Sequence, residues 1–499
     1  MTSSPRANGA AVGADPSRHV PDGVILAIAC VAQFMVVLDV SIVNVALPSI
    51  GHDLHYSATG LQWVVNAYVL TFAGFLLLGG RAADLFGRRR AYLFGLGLFT
   101  VASIAGGLAQ STTWLTVARA AQGVGGAFLS PATLTILVTT FSGRSLAKAL
   151  GTWSAVAGAG GAAGSLFGGL LTAGLSWRWV LFVNLPIGVL AGAAALAFLG
   201  ESRRSADGPR RRLDVAGAVT VTAGLGALVY AIVGTDAHPW GSAPTLTWLA
   251  VAVVLLAVFA LVEVRAASTP LVPFRLFRSR SVSGANVVML LVGAAFFAMW
   301  YFLSLYLQNV LGYGPLKAGL AFLPMSLAII LGAQAASRLL ARYGPRPVLL
   351  AGTLVATAGF AWLAQIDGHA DYASHVLGAG CVISLALGLL FTPLASAATS
   401  GVDRREAGLA SGVLNTSRQV GGSLGLAALA TLATDRTTAL GHAGRPATLA
   451  LTSGYSRAFA VAAGLTAAAF VVSFVVPSLR PAQVPAPGGD PEPVVVAAD

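Results

Sequence analysis

The sequence predicts an all-α polytopic membrane protein with fourteen spans. The chain has 499 residues, of which 56% are hydrophobic and only 10% are charged, whereas soluble proteins carry about 25% charged residues. Apolar stretches of about 20 residues, long enough to cross a bilayer as a helix, recur along almost the whole chain. The predicted spans are 24–47, 61–80, 92–110, 114–139, 149–172, 180–199, 215–234, 246–264, 283–308, 318–336, 348–366, 375–398, 407–432 and 455–476.

The positive charges are concentrated in alternate loops. Of the 30 Lys and Arg residues, 23 fall on the side of the N-terminus when the chain is threaded through these spans, and five fall on the other side. The remaining two, Arg119 and Arg418, lie within spans. Because Lys and Arg are enriched in cytoplasmic loops, we expect both termini in the cytoplasm and the protein in the cell membrane. A net charge of +12 distributed in this way indicates topology, and no nucleic-acid partner is expected.

The chain contains an internal repeat. Segments 80–90 and 337–347 each follow the second span of a six-span block, so the spans are arranged as six, two and six. With a shift of 257 positions the matching pairs are Arg81/Arg338, Phe86/Tyr343, Gly87/Gly344 and Arg89/Arg346. Such duplication is typical of secondary transporters, whose binding site lies between the repeats near mid-membrane.

The repeat divides the chain into six predicted parts. Two six-helix bundles are joined through a basic connector and an inserted helix pair with its linker, and cytoplasmic tails flank them. The parts are the tail 1–23, the N-terminal bundle 24–200, the connector 201–214, the inserted pair and linker 215–282, the C-terminal bundle 283–476 and the tail 477–499. The last of these is rich in Pro and is expected to be disordered.

Residues 80–90 resemble the signature of the major facilitator superfamily, Gly-x-Leu-x-Asp-Arg-x-Gly-Arg-Arg, from which Ala82 and Leu85 depart. With fourteen spans, the chain is most similar to the drug:proton antiporter family, and the resemblance covers roughly residues 24–476. It implies the major facilitator fold, two six-helix bundles with two extra transmembrane helices. Further matching motifs are 38–48, 119–123, 177–188 and 414–419.

The resemblance implies proton-coupled efflux of drugs, antibiotics or similar amphipathic small molecules by alternating access. The alternative is a dedicated exporter or importer of one metabolite. An enzyme would need paired carboxylates or clustered His ligands, and the seven His residues are scattered in loops and tails. We therefore expect a transporter that works as a monomer in the lipid bilayer and is driven by the proton gradient. Its expected partners are its small-molecule substrate and protons. Neither a cofactor nor a metal is expected.

Asp39 is the one acidic residue placed well inside a predicted span. A charge there costs about 2.5–3.5 kcal/mol on insertion scales. With a helical rise of 1.5 Å per residue, Asp39 lies about 12 Å and Arg119 about 7.5 Å from the outer face. The difference in depth of about 4.5 Å is within the reach of an arginine side chain. Burial raises the pKa of a carboxyl group, whereas a neighbouring cation lowers it. Asp39 is therefore predicted to take up and release the proton, and Arg119 to modulate its affinity for the proton. A permanent structural ion pair is the alternative.

Polar and aromatic side chains in otherwise apolar spans suit amphipathic ligands, although each such residue can also serve in helix packing. The C-terminal spans offer no mid-membrane carboxylate, which favours monovalent, neutral or zwitterionic substrates over dications. The predicted substrate path comprises Gln33, Asn44, Asn66, Tyr68, Trp300, Tyr301, Tyr306 and Gln308.

The family resemblance also implies a cytoplasmic latch that holds the outward-open state, with topology alone as the alternative role for its charges. The latch residues are Gly80, Asp84, Gly87, Arg88 and Arg89.

Span five carries a glycine-rich motif with one departure from the family pattern, because Gly164 is followed by Ser165 where the family normally has Gly-Pro. Its glycines still permit close helix approach. The glycines assigned to this packing are Gly160, Gly164, Gly168 and Gly169. Arg418, near mid-membrane, is expected to be a structural cation; contact with an anionic substrate is the alternative.

Overall fold

The computed structural model describes residues 21–200, 213–235, 237–266, 270–367, 371–402 and 406–477. Within these ranges all regular secondary structure is helical, and no β-strand occurs. Most of the predicted tails 1–23 and 477–499 and most of the basic connector 201–214 lie outside the described residues.

Sixteen α-helices form in the described part of the chain, joined by tight turns and short 3-10 or π segments. In chain order they are α1 (Asp22–Asp53), α2 (Trp63–Phe86), α3 (Arg88–Gly107), α4 (Thr112–Thr140), α5 (Gly143–Gly174), α6 (Trp179–Phe182), α7 (Asn184–Phe198), α8 (Val215–Gly234), α9 (Ala243–Leu261), α10 (Arg280–Leu305), α11 (Pro315–Ala321), α12 (Leu323–Tyr343), α13 (Pro345–Leu363), α14 (Gly378–Thr399), α15 (Ala407–His442) and α16 (Ala447–Ser473).

Thirteen helical segments of the described chain are long and apolar enough to cross a membrane, which confirms the all-α polytopic class. Two of them are broken helices, α6 with α7 and α11 with α12. The predicted span 407–432 falls in α15, whose polar run 415–419 lowers its hydropathy. Because this 36-residue helix packs along α10 and α16, the structure is consistent with fourteen spans, and that count stays a prediction.

The helices pack as two bundles. Helices α1 to α7 contact one another, with α1 against α5 and α4 against α2 and α3, and α10 to α16 form the second group, with α10 against α15 and α12 against α14. Glycines bring backbones close within each group. A Cβ atom added at Gly125 would lie 2.5 Å from the Phe99 nitrogen, and one at Gly421 would lie 2.0 Å from the Leu290 oxygen. Small residues are a common device for helix association in membranes.

The inserted pair α8 and α9 forms a hairpin on one side of the molecule. Helix α8 packs against both α2 and α15, and one apolar cluster joins Leu70 of α2, Val229 of α8 and Ala427 of α15. Helix α9 leaves Val253 and Val254 more than half exposed, as expected of a helix that faces lipid. The pair therefore touches both bundles along the seam between α2 and α15.

The two repeated segments fold into the same tight turn. Helix α2 ends at Phe86 and α3 begins at Arg88, separated only by Gly87, which has a φ of 96°. Helices α12 and α13 are separated in the same way by Gly344, with a φ of 77°. Glycine adopts such angles without the steric penalty of a Cβ atom, which explains why both copies carry it.

The molecule has two ends. The basic end is the end at which α1 begins and at which α3 begins with Arg88, Arg89 and Arg90. The far end is the opposite end, at which α1 ends at Asp53. Near the far end Ser304 Oγ donates a 2.6 Å hydrogen bond to the Asn44 carbonyl, and Gln308 Nε2 donates to the Val45 carbonyl at 2.9 Å. These bonds join α1 to α10 and the π turn that follows α10.

A second contact near the far end joins α5 to α11. A Cβ atom at Gly169 would lie 2.6 Å from the Pro315 oxygen, and one at Gly319 would lie 2.3 Å from the Ser165 oxygen. The two helices thus meet backbone to backbone, and the two bundles are held together there.

Gly87→Ala should destabilise the protein by about 1–3 kcal/mol, because alanine is strained at this φ. Gly97→Ala on α3 is the matched control, since its Cβ atom would meet no atom within 4 Å and its φ is not positive. Thermal unfolding of the purified protein measures both. A Gly87→Ala midpoint equal to that of Gly97→Ala would refute the strain argument.

Candidate functional site

Asp39 lies at the centre of a buried polar cluster. Its Oδ2 atom is 2.6 Å from Arg119 Nη1, and its Oδ1 atom accepts hydrogen bonds from Gln122 Nε2 at 2.6 Å and Asn184 Nδ2 at 3.0 Å. Asp39 has no exposed surface, and Arg119 is 2% exposed. Helices α4 and α7 therefore place three donors on the carboxylate that α1 carries inside the first bundle.

Further contacts fix the members of the cluster. Arg119 Nε donates to the Val64 carbonyl at 3.0 Å, and its guanidinium lies 4.5 Å from the centre of the Tyr68 ring. Ser103 Oγ of α3 accepts from Gln122 Nε2 at 2.7 Å and from Asn184 Nδ2 at 2.9 Å. Arg119 and Gln122 are three residues apart and so share one face of α4. The cluster spans four helices and the start of α2.

The loop before α6 positions Asn184. Trp177 Nε1 donates to Asp53 Oδ2 at 2.8 Å, and Arg178 forms a 3.2 Å ion pair with the same carboxylate. Arg178 Nη1 also donates to the Ala109 carbonyl at 3.2 Å. These bonds tie the loop to the ends of α1 and α3, so the break at Val183 between α6 and α7 delivers Asn184 to the cluster.

Sequence reasoning identified the pair Asp39 and Arg119 but did not assign Ser103, Gln122 or Asn184 to a site. Gln122 and Asn184 stand in the motifs 119–123 and 177–188, and that position was the available signal. No such signal was available for Ser103, because the partners of a serine on an apolar helix are defined only by the tertiary structure.

The cluster is closed in this conformation. A buried carboxylate is stable when its charge is paired and its lone pairs accept hydrogen bonds, and Asp39 meets both conditions. With no exposed surface and three donors around it, Asp39 has no direct contact with solvent in this conformation.

The predicted substrate-path residues make different kinds of contact, and their role stays a prediction. Asn44 and Gln308 are in the contact between the bundles near the far end, and Trp300 packs on Phe322, with ring centres 5.0 Å apart. The other five, buried within the bundles, are Gln33, Asn66, Tyr68, Tyr301 and Tyr306.

Among these buried residues, three have polar atoms without a hydrogen-bond partner, namely Asn66 Oδ1 and the hydroxyls of Tyr68 and Tyr301. Gln33 Oε1 instead accepts from Ser130 at 3.1 Å, and Tyr306 reaches the Asp367 carbonyl at 3.4 Å. Tyr68 belongs to the Asp39 cluster by contact, since its ring lies beside Arg119.

The glycines of α5 lie against two partners. Cβ atoms at Gly160, Gly164 and Gly168 would all approach the α1 backbone, with distances of 3.0, 2.8 and 2.7 Å to carbonyl oxygens of α1. Gly169 faces α11, as described above. Ser165, which replaces the expected proline, lies 3.1 Å from the hydroxyl of Ser41 on α1.

Latch residues Arg88 and Arg89 contact the first bundle. Arg88 Nη1 donates to Thr139 Oγ1 at the end of α4, and Arg89 Nη2 donates to the Leu196 carbonyl of α7 at 2.9 Å. Gly87 forms the turn already described, and a Cβ atom at Gly80 would be 3.7 Å from the nearest atom, in Pro131. The side chain of Asp84 lies outside the described residues.

Arg418 is part of α15 and contacts α10 and α14. Its guanidinium is 5.4 Å from the centre of the Phe391 ring, and its carbonyl abuts Gly293. Its buried Nε atom has no hydrogen-bond partner, and no carboxylate of the described residues pairs with it. The two intramembrane arginines therefore differ, since Arg119 is neutralised and Arg418 is not.

Comparisons with known proteins identify the family. A sequence profile of the Major Facilitator Superfamily matches residues 29–426. The chain belongs to the major facilitator superfamily. It is 44% identical to the cephamycin export protein of Amycolatopsis lactamdurans, over 91% of this chain and 92% of the relative, and 40% identical to the puromycin resistance protein of Streptomyces alboniger, over 95% and 94%.

Solved structures agree on the fold of this facilitator. A bacterial homologue of the human lysosomal transporter Spinster superposes with a TM-score of 0.66 at 16% identity, covering 93% of this chain and 97% of that one. The human organic anion transporter MFSD10 gives a TM-score of 0.60 at 16% identity, covering 91% and 99%. These structures share the fold of this chain, and the superfamily profile together with the export and resistance relatives makes the protein a transporter and not an enzyme.

Arg119→Gln should cost about 3–5 kcal/mol of stability, because it leaves the Asp39 charge buried and unpaired. Arg418→Gln, which breaks no ion pair, should cost much less. Unfolding midpoints of the purified variants test this, and the double variant Asp39→Asn/Arg119→Gln should recover part of the loss. Equal midpoints for the two single variants would show that the ion pair is energetically unimportant.

Gly164→Ala should reduce transport, because its Cβ atom would lie 2.6 Å from Ser41 Cβ and force α5 away from α1. Gly158→Ala on the same helix meets no atom within 4 Å and should retain full activity. Efflux from cells producing matched amounts of each variant gives the comparison. Normal efflux by Gly164→Ala would argue against tight α1–α5 packing during transport.

Proposed function

We propose that this transporter exports antibiotics or similar amphipathic small molecules across the cell membrane in exchange for protons. The export and resistance proteins described above, together with the tetracenomycin C resistance and export protein of Streptomyces glaucescens at 36% identity over 84% of this chain and 77% of that relative, support the direction and the substrate class. The observation that carries proton coupling is the buried cluster around Asp39.

The basic end is cytoplasmic in this proposal, and the termini lie there. Lys and Arg favour the cytoplasmic side, and the described basic loops meet at this end. With that orientation, the contacts of α1 with α10 and of α5 with α11 close the outside. The arrangement corresponds to a state that receives its cargo from the cytoplasm.

Proton exchange follows from the alternation of two states. With the outside closed, Asp39 is paired with Arg119 and receives two further donors, which stabilises the ionised carboxylate. When the bundles rock to open the outside, loss of one donor, Asn184 or Gln122, lets Asp39 take a proton there. Return to the present state restores the donors and expels the proton inward, which couples its entry to export.

The environment of Arg418 favours substrates that carry an anionic group. Its unpaired buried Nε is costly to leave without a partner, and a carboxylate or enolate of the cargo would satisfy it beside the Phe391 ring. This observation favours contact with substrate over a purely structural cation. It agrees with the expected preference for monovalent or zwitterionic compounds.

A dedicated carrier for one metabolite is the alternative. Proteoliposomes screened with puromycin, a cephamycin, cationic dyes and amino acids discriminate the two, since an exporter of antibiotics releases protons with several of them and a dedicated carrier with one.

Asp39→Asn should abolish transport driven by a pH gradient, because an amide cannot exchange the proton. Asp22→Asn, at the exposed start of the same helix, is the control and should behave as the wild type. Substrate-dependent proton release and substrate flux are recorded together in proteoliposomes. Transport by Asp39→Asn that still collapses when the gradient is removed would reject the role of Asp39.

A further inference from the structure

An apolar cavity of about 180 Å³ lies where the two bundles and the inserted pair meet. Its walls include Leu77 of α2, Val221 of α8, Phe259 of α9 and Val420 of α15. The few polar groups include the hydroxyl of Thr416, which has no hydrogen-bond partner. The cavity takes no part in the Asp39 cluster.

The size and depth of the cavity suit a hydrocarbon chain. An apolar cavity of roughly 150 Å³ stays dry and admits a ligand such as benzene, whereas sites for whole drug-sized ligands measure about 300–1,000 Å³. Leu77 is nine residues from the end of α2 at Phe86, or about 13 Å from the basic end. That depth lies within one leaflet, towards the terminal methyl of an acyl chain, since half the hydrocarbon core is about 15 Å.

Cationic side chains stand next to the cavity. The 3-10 turn Phe274–Arg278 supplies Phe277 to the cavity wall and exposes Arg275 and Arg278. Arg275 is engaged by Glu406, whereas Arg278 forms no ion pair with any carboxylate of the described residues. Basic pockets between membrane helices on the cytoplasmic side bind anionic headgroups.

We propose that this junction cavity binds one acyl chain of an anionic membrane phospholipid, whose phosphate is held by Arg278. The lining comes from both bundles and from the inserted pair, so a chain bound there contacts all three at once. Because a ligand favours the state in which its site is formed, the lipid stabilises the present closed-outside arrangement.

Photolabelling of the wild-type protein in nanodiscs tests the proposal. The probe is phosphatidylglycerol with a diazirine near the end of one acyl chain, and labelled peptides are mapped by mass spectrometry. We expect adducts on peptides containing Leu77, Val221, Phe277 or Val420, removed by excess unlabelled phosphatidylglycerol. Adducts confined to the exposed face of α9, as bulk lipid would give, overturn the proposal.

Variants separate the chain from the headgroup. Val221→Phe on α8 and Val420→Phe on α15 fill the cavity from two different helices and should remove the adducts, while Val219→Phe on the exposed face of α8 should not. Arg278→Gln should weaken competition by phosphatidylglycerol about fivefold and leave phosphatidylcholine unaffected, with Arg338→Gln at the basic end of α12 as control.

Decane and a transported compound such as puromycin are the remaining competitors. We expect neither to displace the probe as well as phosphatidylglycerol. If decane displaces the probe as well as phosphatidylglycerol does, and Arg278→Gln does not change competition by phosphatidylglycerol, the cavity binds alkyl chains without a headgroup. That result would overturn the headgroup assignment. Displacement by puromycin alone would assign the cavity to cargo and likewise overturn the lipid proposal.

Discussion

A charged carboxylate at the centre of a membrane-embedded bundle must be neutralised from every side, and this requirement organises the first bundle. Asp39 on α1 obtains its partners from α4 and α7, and Ser103 of α3 links two of those partners. The loop held by Asp53 brings the last donor into place. Charge compensation thus fixes helices that apolar packing alone would leave free to slide.

Glycine determines how closely the remaining helices approach. The α1–α5 and α5–α11 contacts are made through backbone, with glycines on α5 facing both partners. A surface of this kind is smooth, because few side chains interlock across it. Helix α5 can therefore hold the two bundles together near the far end and still permit one bundle to tilt on the other.

The two seams between the bundles are unequal. At one seam α5 meets α11 directly, whereas at the other α8 covers the junction of α2 and α15. The inserted pair thus adds a third body to a fold that otherwise has two moving parts. The linker follows the same seam, since Arg81 Nη2 donates to the Pro270 carbonyl at 3.3 Å and Glu263 accepts from the amides of Leu271 and Val272 at 3.1 Å. Helix α2 is thereby bonded to the linker that leads to Arg278.

The sequence by itself determined the all-helical membrane class, the family and the residues whose chemistry is unusual for lipid surroundings. The reason is that the length of each apolar stretch, and any charged residue within it, can be identified directly from the order of the amino acids. The repeated Gly87 and Gly344 were legible for the same reason, as both are required by backbone geometry. The tertiary structure alone decided which neutral residues accompany Asp39, which predicted path residues are buried, and that Arg418 lacks the partner Arg119 has. Those outcomes depend on the rotation of each helix about its axis. That rotation is set by contacts between segments far apart in the chain, such as Asn184 with Asp39, which are 145 residues apart.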